Sequence, residues 1–254
     1  MINPLNPPAK ALARAALKVV PPLSFLEKPI IFLARLAAET MAPAAALRLL
    51  FRIDTALYRL QGIVATRLTG TGIHVKHQVT GYHQFFIDRI GAGDRVLDVG
   101  CGNGTLAAAV AKATGATVVG FDISPKSIAF ARERYDLPNL SFTVADANSF
   151  LPTGPFDVVI LSNVLEHVIE RVELLRKVQT ALCDRLLIRV PMFDRDWRIP
   201  VRKDLGVDWR LDDDHKTEYT QESFYAELSQ AGLEAVEETI RWGEIWATVR
   251  PISE

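Results

Sequence analysis

Val96-Leu97-Asp98-Val99-Gly100-Cys101-Gly102-Asn103-Gly104, followed by LAAAVAKA at residues 106–113, decides the fold. An apolar, β-favouring run enters three closely spaced glycines, and the glycines hand over to strong helix formers, so the stretch reads as strand, tight turn and helix. Glycines at 100, 102 and 104 let the backbone turn sharply and approach a ligand with no Cβ in the way. On either side the pattern repeats: RVLDVG, TVVGFD, LSFTVAD, FDVVILS and RLLIRVP are short β-rich runs separated by helical stretches. This alternation predicts a parallel sheet covered on both faces, a doubly wound α/β domain with its ligand at the carboxyl ends of the strands near the switch point.

The charge at those strand ends indicates the ligand. A dinucleotide loop needs G-x-G-x-x-G, and counting from Gly100 the last position is Thr105, so that template fails. Asp98 lies two residues before the first glycine, where a carboxylate would repel a pyrophosphate and attract an ammonium or sulfonium group. Asp122 closes the second strand, 24 residues after Asp98, where an acid can accept both hydroxyls of a ribose. Asp146 ends the third strand, placed to receive an adenine amine. Taken singly, each acid is more often a cap or turn former. Three in succession, with a glycine loop, point to one nucleoside-bearing cation.

With these motifs in order, residues 80–254 resemble the class I S-adenosylmethionine-dependent methyltransferases. VLDVGCGNG is similar to that family's first motif, GFDIS to its ribose-binding strand end, VADAN to its adenine-side motif and FDVVILSNVLEHV to its fourth-strand motif. The resemblance implies a Rossmann-like sheet of seven strands, the last antiparallel, and GLEAVEETIRWGEIWATVRP fits a closing hairpin. It also implies S-adenosyl-L-methionine as cofactor. Gly100, Cys101, Gly102 and Gly104 would wrap the methionine part, with Asp98 holding its ammonium. Asp122 would bind the ribose, Ile123 cover the adenine face, Asp146 and Ala147 read the adenine edge, and Ser162 and Asn163 line the methionine side. Within the family, NVLEHV is most similar to small-molecule enzymes, including ubiquinone-pathway O-methyltransferases.

The transferred group is already activated as a sulfonium, so the protein has to orient the acceptor and exclude water. For a hydroxyl acceptor a general base helps, and the resemblance puts His167, with Glu166 beside it, near the methyl; imidazole has a suitable pKa. The alternative is a histidine that only hydrogen-bonds the helix start. Some methyltransferases hold a divalent ion with E-x-x-E-H and a later histidine. Here Glu166 and His167 match and His215 resembles the later ligand, but Asn163 replaces the first glutamate, so no metal is expected. Residues 191–220 form a long charged connection, expected to act as a lid or binding loop in which Arg198, Arg202, Lys203 and Arg210 would receive an anionic or sugar-phosphate acceptor. Trp197, Arg198, Trp209 and His215 within it, with Tyr82 and His83 from a polar strap before the first strand, are the candidate substrate contacts.

The composition frames these readings. The chain has 254 residues, 49% apolar, with 29 Lys plus Arg against 30 Asp plus Glu, which suits a globular protein and excludes dominant disorder. The net charge of −1 hides a division, because residues 1–70 carry +6 and the rest −7. An acidic catalytic part argues against a nucleic-acid partner. Two cysteines, Cys101 and Cys183, allow no disulfide framework and suit a reducing compartment. No uncharged apolar window reaches the roughly 18 residues of a spanning helix. Helices are expected over 9–19, 28–39 and 44–61, the last stopping at Gly62. The predicted organisation is a basic helical arm, 1–78, and a catalytic domain, 79–254. The arm would rest on an anionic membrane or pack on protein or a second subunit. The expected location is cytoplasmic, or peripheral at the inner face of a membrane. The leading expectation is methylation, at oxygen, of a small-molecule or glycan-type acceptor. A cofactor-binding module without catalysis, a membrane-recruited assembly factor, or an RNA or protein methyltransferase are the alternatives.

Overall fold

A computed structural model describes residues 24–70, 74–149, 152 and 154–252. The chain divides into two compact units: one runs up to Tyr82 and takes in Val201–Trp209, and the other is His83–Pro200 with Arg210–Glu254. The sequence had placed one cut, between 78 and 79.

The larger unit is built on seven strands, β1 (Arg95–Val99), β2 (Thr117–Asp122), β3 (Leu140–Val144), β4 (Phe156–Ser162), β5 (Leu182–Pro191), β6 (Leu233–Arg241) and β7 (Glu244–Pro251), in the order β3-β2-β1-β4-β5-β7-β6. β1 pairs in parallel with both β2 and β4, β4 with β5 and β2 with β3, while β7 runs antiparallel to β5 and β6. This is the class I methyltransferase architecture that the motif order implied. Strands covered on both faces need near-continuous apolar runs. β1 and β4 have them: Val96, Leu97, Val99, Val158, Val159, Ile160 and Leu161 are fully buried. Each such side chain contributes about 1.5–3 kcal/mol relative to exposure. The strand order reverses between β1 and β4, so the crevice at their carboxyl ends is the switch point.

The smaller unit contains α1 (Ser24–Thr40) and α2 (Pro43–Leu68). The helix expected over 9–19 lies outside the described residues. Gly62 does not stop α2: one interior glycine costs about 1 kcal/mol relative to alanine, and the helix runs on to Leu68, just before Gly70 at φ 68°. The long connection also differs from the expected structureless loop. Arg198–Asp204 is helical, and its ends are drawn together by Phe193 N–H donating to Tyr219 O (2.7 Å) and Tyr219 N–H to Pro191 O (3.0 Å). Within the smaller unit Arg202, named in sequence as part of a positive acceptor loop, is buried. It stacks 4.7 Å from the Phe51 ring, donates to Thr55 Oγ1 (2.8 Å) and pairs with Asp54. Pairing across some 148 positions gives no local sequence signal, which is why the loop was read as a lid.

Gly104 links loop and helix: it has φ 73°, and an added Cβ would lie 2.5 Å from Phe142 Cζ and 2.9 Å from Ala131 Cβ. Gly115, after the same helix, has φ 75° with nothing within 4 Å. Gly104→Ala should therefore lose about 2–5 kcal/mol through left-handed strain plus overpacking, and Gly115→Ala only about 1–2 kcal/mol. Denaturant midpoints at unchanged slope measure the difference; equal losses would contradict it.

Candidate active site

The glycine loop follows β1 with Gly100, Gly102 and Gly104 all left-handed, at φ 65°, 53° and 73°. A Cβ on Gly100 would sit 2.8 Å from Val164 Cγ2, so the β1 and β4 ends are in direct contact, whereas a Cβ on Gly102 would meet nothing within 4 Å. The loop is tied down by Cys101 N–H to Phe121 O (2.9 Å) and by Gly102 N–H to Asp122 Oδ2 (2.9 Å); the other Asp122 oxygen accepts from Ser124 N–H (2.8 Å). Asp98 is 2% exposed, and its Oδ2 has no hydrogen-bond partner among the described residues. Burial, then the nearby charge of Asp122, pushes its carboxyl up to about 8. Burial, with Asp98 and Asp122 behind it, pushes the Cys101 thiol up as well, so it is no nucleophile.

Around this loop lie the other strand ends. Ile123, directly after β2, is 67% exposed, unusual for a large apolar side chain beside buried strands. Asp146 Oδ1 accepts from Asn148 N–H (2.9 Å), and the Ala147 carbonyl accepts from Lys177 (3.1 Å), which fixes the turn after β3. Ser162 closes β4, and Asn163 follows at φ 56°, rare outside glycine. Its N–H donates to Arg189 O (2.9 Å), while its buried Oδ1 has no partner among the described residues.

A second cluster adjoins Asn163 in sequence. Leu165–His167 forms a single 3-10 turn. The Glu166 carbonyl accepts from Lys216 (2.6 Å) and Thr217 (3.3 Å) amides, which brings the DDDHKTE segment against the turn. His215 is buried and stands edge-on to His167, 4.7 Å between ring centroids. His215 Nδ1 lies 3.1 Å from Glu218 Oε1, and His167 Nδ1 lies 3.1 Å from Asp214 Oδ2. Glu166 is fully buried with neither carboxylate oxygen hydrogen-bonded among the described residues. Burial raises it to about 8 against the lowering pull of its own backbone amide, His215 and Arg189. Burial lowers His167, outweighing Asp214; at His215 burial also lowers, but the Glu218 hydrogen bond and the charges of Glu166, Glu218 and Asp212 win, and the net shift is upward. One ligand atom each from Glu166, His167 and His215 lies within 4.8 Å of the others. Their chemistry suits a divalent ion, although no fourth protein ligand joins them among the described residues.

Of the expected substrate contacts, His83, Trp197, Arg198 and His215 fall in the larger unit, and Tyr82 and Trp209 in the smaller. Trp197 is 67% exposed, and Arg198 donates to Asp196 (2.8 Å). Trp209 is half-buried with Lys203 Nζ 5.2 Å from its ring, and Tyr82 packs edge-on against His77. His215 is too deeply buried for a free substrate contact and instead supports His167. Sequence reasoning missed Asp214 and Glu218, the acids that orient the two histidines. The acidic run around His215 was the available signal.

The family profile described as a methyltransferase domain matches residues 90–245. The chain belongs to this methyltransferase family. Among curated proteins it is similar to a ubiquinone biosynthesis O-methyltransferase of Bradyrhizobium diazoefficiens, 32% identical over 47% of this chain and 47% of that one. A 27-O-demethylrifamycin SV methyltransferase of Amycolatopsis mediterranei is 35% identical over 39% and 42%. The chain thus matches under half the length of these curated relatives. Among solved structures, magnesium protoporphyrin IX methyltransferase from Synechocystis PCC 6803, with bound SAH, superposes with TM-score 0.56 at 21% identity, over 70% of this methyltransferase-family chain and 84% of that one. Such low identity speaks for the fold alone.

Asp98 has a pH consequence. With its folded value raised to about 8, the native state keeps a proton that the unfolded chain releases near about pH 4, so stability falls as pH rises through this window. Asp98→Asn should flatten part of that decline, leaving the share that Glu166 contributes in the same direction. Unfolding titrations across the window measure it, and a ligand-free protein whose stability does not fall would contradict the burial argument.

Proposed function

We propose that the chain is an S-adenosylmethionine-dependent methyltransferase acting at oxygen on a small-molecule or glycan-type acceptor. The observation that carries this reading is the buried Asp98 carboxyl, with an unpartnered oxygen, at the base of a left-handed glycine loop. Such a group is costly unless a cation meets it. The ammonium of S-adenosylmethionine supplies that charge, and its sulfonium supplies an activated methyl group.

Gly100, Cys101, Gly102 and Gly104 wrap the methionine part, with the open space above Gly102 left for it. Asp122 spends one lone pair of each oxygen on Gly102 and Ser124, which leaves the remaining pairs for the ribose hydroxyls. The exposed Ile123 covers the adenine, Asp146 and Ala147 read its edge, and Ser162 with the unpartnered Asn163 Oδ1 faces the methionine side. His167 is the base. Asp214 accepts a hydrogen bond from Nδ1–H, leaving a lone pair on Nε2, and the lowered pKa keeps that lone pair free near neutrality. As the methyl passes from sulfur to the acceptor oxygen, the hydroxyl proton goes to His167 Nε2, leaving a methyl ether, a thioether and an imidazolium. His83, Trp197 and Arg198 are the proposed acceptor contacts. The O-methyltransferase names of the relatives support oxygen as the target.

The unpartnered Glu166 oxygens, near both histidines, favour one second reading: a divalent cation held by Glu166, His167 and His215 that positions the acceptor. Metal analysis of purified protein and assays in excess chelator decide between the two. Undiminished turnover would remove the metal, and loss restored by added cation would remove the free base.

Calorimetry should show S-adenosylhomocysteine binding to the wild type, and its absence would overturn the proposal. His167→Ala should lower kcat by about 10²–10⁴-fold with product-cofactor affinity unchanged. Deuterated-methyl cofactor incubated with a metabolite extract should label an acceptor only in wild type. Cofactor binding without any labelled species would leave a binding module instead.

A further inference from the structure

Among the described residues, the helical unit carries an exposed apolar surface. On α2, Leu49, Ile53, Leu57, Leu60, Val64 and Leu68 are all exposed, Leu60 by 59% and Val64 by 62%. Their spacing puts them on one face, a stripe about 28 Å long at 1.5 Å per residue. The face that carries Phe51 and Thr55 is the one taken up by residues 201–209: Arg202 reaches both, and Arg48 Nε donates to Leu205 O (2.9 Å). The apolar stripe points away from that packing. α1 adds residues 30–33, four large apolar side chains in a row, each about 60% exposed.

Two observations choose the occupant. Residues 24–70 carry +3, and on α2 Arg52 and Arg67 are exposed beside the stripe, so the surface is apolar with a cationic margin. The stripe also drifts, because its six positions advance by 4, 4, 3, 4 and 4 residues, and a coiled-coil seam with a second copy needs a sustained 3.5-residue repeat. Where such a repeat would continue beyond Val64, the position is Arg67. A bilayer surface imposes no such repeat, and no helix among the described residues is long and apolar enough to cross a membrane.

We infer that α1 and α2 form a docking surface for an anionic lipid bilayer, lying in its interface with the α2 stripe among the acyl chains and Arg52 and Arg67 at the headgroups. This holds whether or not the chain transfers a methyl group, and it is read without the reaction.

The test is flotation of the full chain with phosphatidylcholine vesicles containing phosphatidylserine, against phosphatidylcholine alone. Expected is flotation with the anionic vesicles, weakened by added salt. Arg52→Glu with Arg67→Glu should reduce it at least tenfold, and Leu57→Ser with Leu60→Ser should abolish it; both pairs are exposed, so circular dichroism and melting temperature should stay at wild-type values. No flotation at low salt, or equal flotation on neutral vesicles, overturns the inference. A dimer in light scattering that Leu57→Ser with Leu60→Ser dissolves, without flotation, assigns the stripe to a second copy instead.

Discussion

A carboxyl group sealed under a left-handed loop at the end of the central strand is the constraint around which this molecule is arranged. Asp98 lies on β1, which is flanked by parallel neighbours on both sides, and its side chain is almost wholly buried. Burying that carboxyl is favourable only in its neutral form or beside a cation. The three glycines after it turn the backbone away, the Asp122 carboxylate pins the loop from the next strand, and Val164 closes against it from the other side of the reversal.

The second cluster follows a different logic. Glu166, His167 and His215 are held together in part by two backbone amides, of Lys216 and Thr217, that donate to the Glu166 carbonyl. The acids Asp214 and Glu218 then give the two imidazoles opposite tendencies, one lowered and one raised. A pair of neighbouring histidines with separated protonation is what acid-base work at one edge of a cofactor crevice requires.

Legibility differed by the range of the interaction. The five parallel strands β1–β5 were readable from runs such as FDVVILS, whereas the closing hairpin, with β6 largely exposed, came only from the family resemblance. The turn after β1 was readable from its three glycines, Gly100, Gly102 and Gly104, which all take left-handed backbone there. Misreadings arose where a residue's partner lies far along the chain. Arg202 read as a surface cation because Asp54 and Phe51 are distant in sequence, and Gly62 read as a helix stop because local propensity is weak against a continuing helix of 26 residues.

By itself, then, the sequence determined the sheet, its order of motifs and the cationic character of the ligand, since these follow from periodicity and from chemistry within a few residues of each glycine. Tertiary structure alone decided that Arg202 pairs with Asp54, that residues 201–209 join the helical unit, and that the apolar stripe of α2 is exposed among the described residues. Each depends on which surfaces meet after the chain has folded, and pairings over more than a hundred residues leave no local pattern to read.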